Sequence, residues 1–205
     1  MYDAGMTPPL ALDLFCGIGG AGMGYHRAGY EVIGVDNVPQ PHYPFRFIQA
    51  DAMTFPLTGF DLVHASPPCK LHTRMRGQWP DHPWPDLVQS TLERLRRLDV
   101  PWVLENVPGA PFTPDTILCG SMFGLAVRRH RWFAHNFPVK QPECRHAEQG
   151  RVVQINGHTG GSSARDGVRH SAADWRAAMD MPWATARSMS QAIPPAYTAY
   201  LARFI

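Results

Sequence analysis

A glycine-rich turn between two apolar runs near the N-terminus constrains the fold of this 205-residue chain most strongly. Residues 10–15 are apolar except for Asp13, and glycines follow at positions 17, 19, 20, 22 and 24. Residues 21–28 are compatible with a short helix, and Glu31–Asp36 has the composition of a second buried strand. This order predicts strand, tight turn, helix and strand, the opening unit of a parallel α/β sheet.

The rest of the chain continues this alternation with two interruptions. Short apolar runs at 60–64, 102–104 and 152–155 predict further strands, and residues 86–98 predict a helix with its arginines on the surface. We therefore expect an α/β fold with a mostly parallel sheet and helices on both faces. Residues 70–85 indicate a mobile surface loop, and residues 134–173 an irregular insertion of about 40 residues.

Composition excludes several classes of protein. No apolar run is long enough to span a bilayer, and the N-terminus lacks the pattern of a secretory signal, so we expect an intracellular protein. The four cysteines form no CxxC pair, which argues against a disulfide framework. Residues 1–65 carry 2 basic and 6 acidic side chains, whereas residues 66–151 carry 12 and 8. This asymmetry is typical of a polyanion contacting the second half of the fold, although scattered surface arginines would also explain it.

The glycine-rich turn indicates a nucleoside cofactor. The spacing G-x-G-x-x-G starts at Gly17, and Asp36 follows 19 residues later at the end of the next predicted strand. Glycines let a ligand approach the backbone at a helix N-terminus, and the carboxylate accepts hydrogen bonds from ribose hydroxyls. NAD and S-adenosylmethionine both satisfy this pattern, and glycines required only for close helix packing remain an alternative. Asp51, after a third predicted strand, is a candidate partner for an adenine amino group or a helix cap.

Three further segments suggest catalysis. Two prolines precede Cys69 in SPPC and would present its sulfur at the carboxyl edge of the sheet, where Lys70 and Arg74 could promote the thiolate; a structural cysteine is the alternative. Glu105 ends the following strand in LENV. Arg129 and Arg131 lie on one side of an extended segment, where they could hold a carbonyl, a phosphate or a carboxylate, or simply face solvent.

Five of these segments occur in an order that resembles the DNA cytosine-5 methyltransferase family. DLFCGIGG is similar to the family's cofactor motif, SPPC to its nucleophile motif, LENV to its glutamate motif, RRHR to its arginine motif and SMSQAIPPAYTAYL to its C-terminal cofactor motif. Together the resemblance covers residues 11–133 and 180–205. It implies a class I, Rossmann-like fold that uses S-adenosyl-L-methionine, yields S-adenosyl-L-homocysteine, and acts on cytosine flipped out of duplex DNA.

The resemblance also implies roles for individual residues. Cys69 would attack C6 of cytosine, Glu105 would contact N3 and the exocyclic amine, and Arg131 would hold O2 with support from Arg129. Independently of the resemblance, the basic character of the loop after Cys69 predicts that Lys70, Arg74 and Arg76 contact DNA. The residues implied in cofactor binding are Phe15, Gly17, Ile18, Gly19, Gly20, Asp36, Asn37, Asp51, Ala52, Pro67, Ala192 and Ile193.

Several departures from the family pattern affect these expectations. Lys70 replaces the usual glutamine and Gln191 the usual asparagine, and the 134–173 insertion is far shorter than a target-recognition domain. We thus expect a catalytic domain over 1–133 and 174–205 with a small insertion over 134–173. Within the insertion His135, Cys144 and His146 could ligate a metal, but three groups without a recognised spacing favour unligated side chains, so no metal is predicted.

The expected protein is therefore a monomeric DNA methyltransferase without a membrane or obligate protein partner. Two alternatives remain. The run from Lys70 to Arg74 resembles the Phe-Thr-Arg run of the tRNA-methylating branch, which favours an RNA substrate. A catalytically silent nucleic-acid-binding protein is the second, although the presence of both Cys69 and Glu105 argues against it.

Overall fold

The structure, a computed structural model, describes residues 7–72, 85–155 and 170–205. Within these ranges seven strands form one sheet in the order β3-β2-β1-β4-β5-β7-β6. The strands are β1 (Leu10–Leu14), β2 (Glu31–Asp36), β3 (Arg46–Gln49), β4 (Leu62–Ala65), β5 (Trp102–Asn106), β6 (Thr116–Leu118) and β7 (Arg131–His135). β1 to β5 are parallel, and β7 runs antiparallel to both β5 and β6.

Five α-helices accompany the sheet in the described part of the chain. They are α1 (Gly20–Arg27), α2 (Val88–Leu95), α3 (Ala172–Met179), α4 (Ala186–Met189) and α5 (Pro195–Leu201). The strand order and the single reversed strand β7 define a class I, Rossmann-like methyltransferase fold, which confirms the predicted fold class. None of the helices that the structure describes is long and apolar enough to cross a membrane.

The central strands β1, β4 and β5 are buried almost throughout, because helices cover both faces of the parallel sheet. Their apolar runs could therefore be recognised from composition. The carboxyl ends of β1, β2, β4 and β5 meet at one edge of the sheet, as parallel pairing requires. Each of these strands has a predicted functional residue at its carboxyl end or directly after it.

Helix α1 packs directly against α5 and the residues before it because two of its positions, Gly20 and Gly24, lack side chains. A Cβ atom at Gly24 would lie 2.0 Å from Oγ1 of Thr198 and 2.2 Å from the carbonyl oxygen of Pro195. A Cβ atom at Gly20 would lie 2.2 Å from the carbonyl oxygen of Ile193. The Thr198 hydroxyl donates a hydrogen bond of 2.7 Å to the carbonyl of Ala21. The C-terminal segment is thereby held against the glycine-rich turn.

One sequence prediction about local structure is wrong. Residues 152–155 form no strand; Val153 donates one backbone hydrogen bond to Ala126, and its side chain and that of Ile155 pack against the hydrophobic cluster that contains Trp175. Arg94, predicted at the surface, is partly exposed, and its guanidinium donates to the carbonyls of Ala52 and Phe55 at 2.7 and 2.8 Å. Most of the loop predicted over 70–85, from residue 73 to residue 84, lies outside the described residues.

The predicted insertion overlaps the end of the sheet. β7 extends to His135, and α3 begins at Ala172 after its cap Ser171. Between them, residues 136–155 contain neither helix nor strand, and residues 156–169 lie outside the described residues. The assignment of 134–173 as a separate small domain stays a prediction.

Candidate active site

The loop between β1 and α1 is a turn built from positive backbone angles. Phe15, Gly17 and Gly19 have φ values of 56°, 47° and 82°, and only the glycines adopt such values without strain. The amide of Gly17 donates a 3.0 Å hydrogen bond to Oδ2 of Asp36. The predicted glycine motif and the predicted carboxylate are thus joined directly at the carboxyl ends of β1 and β2.

The same sheet edge carries hydrogen-bond acceptors that suit the ribose hydroxyls and the amino group of a nucleoside cofactor. Asp36 is partly exposed, Asn37 and Asp51 are exposed, and all three follow the adjacent strands β2 and β3. Val38, at 56% exposure, is an exposed large apolar side chain beside Asp36, as a surface for the face of a base requires. Ala52, also predicted here, is buried and holds Arg94 through its carbonyl.

Two residues that the sequence analysis missed hold this loop together. The Tyr43 hydroxyl and the Gly22 amide each donate to Oδ2 of Asp13 at 3.1 Å, while Oδ1 of Asp13 has no partner. Burial raises the pKa of Asp13 to about 8. The Tyr43 ring lies where a side chain at Gly34 would be, 2.3 Å from the ideal Cβ position. The only sequence signal for this arrangement was the pair of glycines at positions 22 and 34, whose missing side chains leave room for the Tyr43 ring. Tyr43 itself lies 30 residues from Asp13 in sequence, so the contact could not be predicted.

Cys69 lies where the sequence predicted, in the segment that follows β4. The preceding Pro67 is fixed from the next strand, because the side-chain amide of Asn106 donates 2.9 Å to its carbonyl. Asn106 was not predicted as a site residue, although it directly follows Glu105. The two prolines and this hydrogen bond position the thiol at the carboxyl edge of the sheet.

Glu105 and Arg131 form a buried ion pair beside Cys69. Nε of Arg131 lies 3.0 Å from Oε1 of Glu105, and their side chains are 11% and 8% exposed. Pairing of β5 with β7 places the two residues close together, since Glu105 is opposite Phe133 in the antiparallel register. The structure therefore brings together the glutamate and arginine that the sequence proposed independently.

The electrostatics of the three groups are coupled. Burial raises the pKa of the Cys69 thiol, the Glu105 carboxylate raises it further, and the guanidinium groups of Arg131 and Arg129 oppose both effects. Burial also raises the pKa of Glu105, against the charge of Arg131 and a hydrogen bond from Ser66. The direction of this shift favours the protonated carboxyl, which is the form that acts as a general acid.

Arg129 has a different role from Arg131. Its guanidinium donates to the carbonyl of Ala192 at 2.9 Å and to that of Ser190, and its own carbonyl accepts a 2.6 Å hydrogen bond from Tyr197. Ala192 was predicted to bind the cofactor, and its carbonyl accepts a hydrogen bond from Arg129. Arg129 connects the C-terminal segment to β7 while its charge still acts on Cys69.

A buried chain of hydrogen bonds leads through His64 and Ser66 to Glu105. The Tyr25 hydroxyl lies 3.0 Å from Nδ1 of His64, and Nε2 of His64 lies 2.9 Å from Oγ of Ser66, which bonds to Glu105. Burial lowers the pKa of His64 to about 3, so its ring stays neutral. If Ser66 donates to the carboxylate, then Nε2 donates to Ser66 and Nδ1 accepts from Tyr25. Tyr25 and His64 were not predicted as site residues, and Ser66 was noted only as part of the SPPC motif.

The remaining predicted residues divide between described and undescribed positions. Lys70 is exposed immediately after Cys69, whereas Arg74 and Arg76 lie outside the described residues. Ile18 is buried, and its carbonyl accepts a 2.9 Å hydrogen bond from the Trp183 indole. Ile193 is buried against Gly20, so its backbone borders the glycine-rich turn.

Comparison with solved structures shows that several methyltransferases share the fold of this chain. A DNMT2 mutant from Spodoptera frugiperda is 13% identical with a TM-score of 0.65, over 96% of this chain and 99% of that one. Dnmt2 methyltransferase from S. pombe is 16% identical with a TM-score of 0.63, over 95% and 97%. The Entamoeba histolytica methyltransferase EhMeth is 11% identical with a TM-score of 0.64, over 97% and 98%. No family model and no curated protein sequence matches the chain.

Proposed function

We propose that this protein transfers a methyl group from S-adenosyl-L-methionine to C5 of cytosine in DNA. The observation that carries the proposal is the convergence of Cys69 with the buried Glu105–Arg131 pair at one sheet edge. A cysteine, a general acid and a guanidinium are the groups that nucleophilic attack on a cytosine ring requires. The fold of the structural neighbours supports a methyltransferase.

In the proposed reaction the Cys69 thiolate forms a bond to C6 of a cytosine flipped from the duplex. Glu105 donates a hydrogen bond or proton at N3, so that negative charge does not accumulate on the ring. Arg131, fixed by its pairing with Glu105, holds the O2 oxygen. After methyl transfer to C5, solvent takes the C5 proton, the C–H electron pair re-forms the C5–C6 double bond, and the bond from sulfur to C6 breaks to release Cys69 as a thiolate. Any proton that N3 received returns to Glu105.

The cofactor would bind at the ends of β1, β2 and β3. The glycine-rich turn and the carboxylates of Asp36 and Asp51 would hold its nucleoside, with Val38 beside the base. The bound cofactor supplies an electrophilic methyl group at sulfur. Arg129 and the Ala192–Ile193 backbone would close this edge from the side of α5.

Cytosine in RNA is a second candidate substrate, because the residues from Lys70 to Arg74 resemble those of the tRNA-methylating branch. Transfer of radiolabelled methyl groups to duplex DNA, single-stranded DNA and tRNA, measured in parallel with Cys69→Ser as control, distinguishes the candidates. We expect incorporation into duplex DNA by the wild type and none by the variant. Preferential labelling of tRNA would replace DNA by RNA as substrate, and labelling of none would favour a silent binding protein.

A further inference from the structure

A cluster of sulfur and nitrogen ligands lies outside the proposed catalytic centre. Its four ligating atoms all lie within 4.8 Å of one another, and they belong to Cys119, His130, Cys144 and His146. Sequence analysis had grouped Cys144 and His146 with His135. In the structure both ring nitrogens of His135 are instead bonded, to Thr116 and to the carbonyl of Phe137.

The sheet itself brings two of these ligands together. Leu118, the last residue of β6, pairs with Arg131, the first residue of β7. One step beyond that pair, Cys119 and His130 face each other across the end of the antiparallel ladder. Cys144 and His146, separated by one residue, come from the irregular segment that follows β7. Four ligands from distant positions therefore meet at one point.

The distances inside the cluster agree with those of a tetrahedral metal site. Sγ of Cys119 lies 3.3 Å from Nε2 of His146, and Sγ of Cys144 lies 3.4 Å from Nε2 of His130. Zinc bound to sulfur at about 2.3 Å and to nitrogen at about 2.1 Å places tetrahedral ligands about 3.6 Å apart. Both imidazoles present Nε2, and their rings meet edge to face at 5.2 Å.

We propose that Cys119, His130, Cys144 and His146 bind a structural Zn²⁺ ion. Two thiolates balance the charge of the ion, and two thiolates with two imidazoles form a closed set that leaves no open position for catalysis. Hydrogen bonds from Ser121 to the sulfur of Cys119 at 3.4 Å and from Arg128 to the carbonyl of His146 at 3.0 Å support the ligands.

The site would fasten the start of the irregular segment to the end of the β6–β7 pair. His130 lies between Arg129 and Arg131, and its carbonyl accepts a 2.9 Å hydrogen bond from Arg131. A metal bond to His130 would therefore also restrain the backbone that carries both arginines. Zinc would stabilise the fold directly, because the ligands are brought together only in the folded chain.

Metal content of untagged protein, purified without chelator from zinc-supplemented cells, tests the proposal. We expect about one equivalent of zinc per chain in the wild type and strongly reduced zinc in Cys144→Ser and His146→Gln. Cys69→Ser and His42→Gln, which replace a cysteine and a histidine outside the cluster, should retain it. Because Cys144 is exposed, Cys144→Ser should fold, which circular dichroism verifies.

Cobalt substitution provides a readout independent of activity. Wild type loaded with Co²⁺ should show a thiolate-to-cobalt charge-transfer band and the intense visible bands of tetrahedral cobalt, and Cys144→Ser should lack the charge-transfer intensity. A zinc chelator should lower the melting temperature of the wild type by several degrees and leave Cys144→Ser unchanged. Wild type without stoichiometric zinc, another metal in its place, or a Cys119–Cys144 disulfide would overturn the proposal.

Discussion

At the scale of single residues, Glu105 has two opposing effects on the proposed reaction. Its negative charge raises the pKa of the thiol, while its proton is needed by the substrate in the proposed reaction. Glu105→Gln preserves the shape and removes both the charge and the acidity. Two measurements on this one variant, thiol reactivity and the rate of methylation, therefore report on the two effects separately.

For Glu105→Gln we expect a more reactive thiol in a much slower enzyme. Alkylation of Cys69 by iodoacetamide near pH 8, followed by peptide mass spectrometry, should become faster because the Glu105 charge no longer raises the pKa of the thiol, while Arg131 and Arg129 still lower it. The single-turnover methylation rate should fall about a hundredfold with loss of the general acid. Glu93→Gln, on the exposed side of α2, should change neither rate. Methylation within a factor of two of wild type would remove Glu105 from the mechanism.

Asp13 is a buried acid whose protonation affects stability. Its pKa is about 8 in the fold against 3.8 ordinarily, so between these pH values the native state holds a proton that the unfolded chain lacks. Its contribution to stability is full below about pH 4 and is lost as pH rises through 8. Asp13→Asn stays neutral and retains an acceptor for Gly22 and Tyr43.

The free energy of unfolding in urea at pH 6.5 and pH 8 tests this prediction. The stability of Asp13→Asn relative to wild type should increase by about 1 to 2 kcal/mol across that interval. His64 does not interfere, because its lowered pKa affects stability only below about pH 6.5. Asp99→Asn, at an exposed position, should show a constant difference. An equally constant difference for Asp13→Asn would refute the buried-acid explanation.

At the scale of elements, the contact between α1 and α5 depends on an absent side chain. Alanine at Gly24 would favour the helix by about 1 kcal/mol in isolation. Its Cβ atom would, however, lie 2.2 Å from a backbone oxygen of α5 that cannot move independently. We expect Gly24→Ala to destabilise the protein by about 1 to 3 kcal/mol, measured by thermal unfolding.

Gly150→Ala is the matched control, because a Cβ atom there meets no heavy atom within 4 Å. Gly150→Ala should change the free energy of unfolding by no more than about 0.5 kcal/mol. Melting temperatures equal to that of the wild type for both variants would show that α1 does not pack this closely on α5.

Elements with a strong local pattern could be predicted from sequence, and elements defined by pairing could not. β2 matches its predicted bounds because a buried parallel strand is an uninterrupted apolar run. β6 has only three residues and exists through its pairing with β7. The apolar run at 152–155 packs its side chains against α3 instead of joining the sheet, which composition alone does not distinguish.

At the scale of the whole molecule, the proposed DNA substrate would have to be read with a short insertion. Residues 136–155, the described part after β7, contain neither helix nor strand to enter a groove. Each well-placed bidentate contact contributes about 1 to 3 kcal/mol of discrimination, and a short irregular segment presents few of them. Bisulfite sequencing of DNA from expressing cells should reveal a target of about two to four base pairs. Methylation confined to a site of six or more base pairs would contradict this.

The candidate site could be predicted only where its residues belong to contiguous motifs. Cys69, Glu105 and Arg131 were each proposed from their own segments, and the structure places the second and third 3.0 Å apart. Tyr43, His64 and Asn106 were missed, because each acts through a partner about 30 or more residues away. The metal cluster was missed for the same reason, since the β6–β7 register determines half of it.

Covalent trapping tests the central claim most directly. Duplex DNA with 5-fluorocytosine at the target is incubated with S-adenosylmethionine and either wild type or Cys69→Ser, and the products are separated under denaturing conditions. Because fluorine at C5 blocks the final elimination, wild type should form a stable protein–DNA adduct whose modified peptide contains Cys69, and the variant should form none. A wild type that methylates ordinary cytosine without forming this adduct, or an adduct formed by Cys69→Ser, would contradict the mechanism.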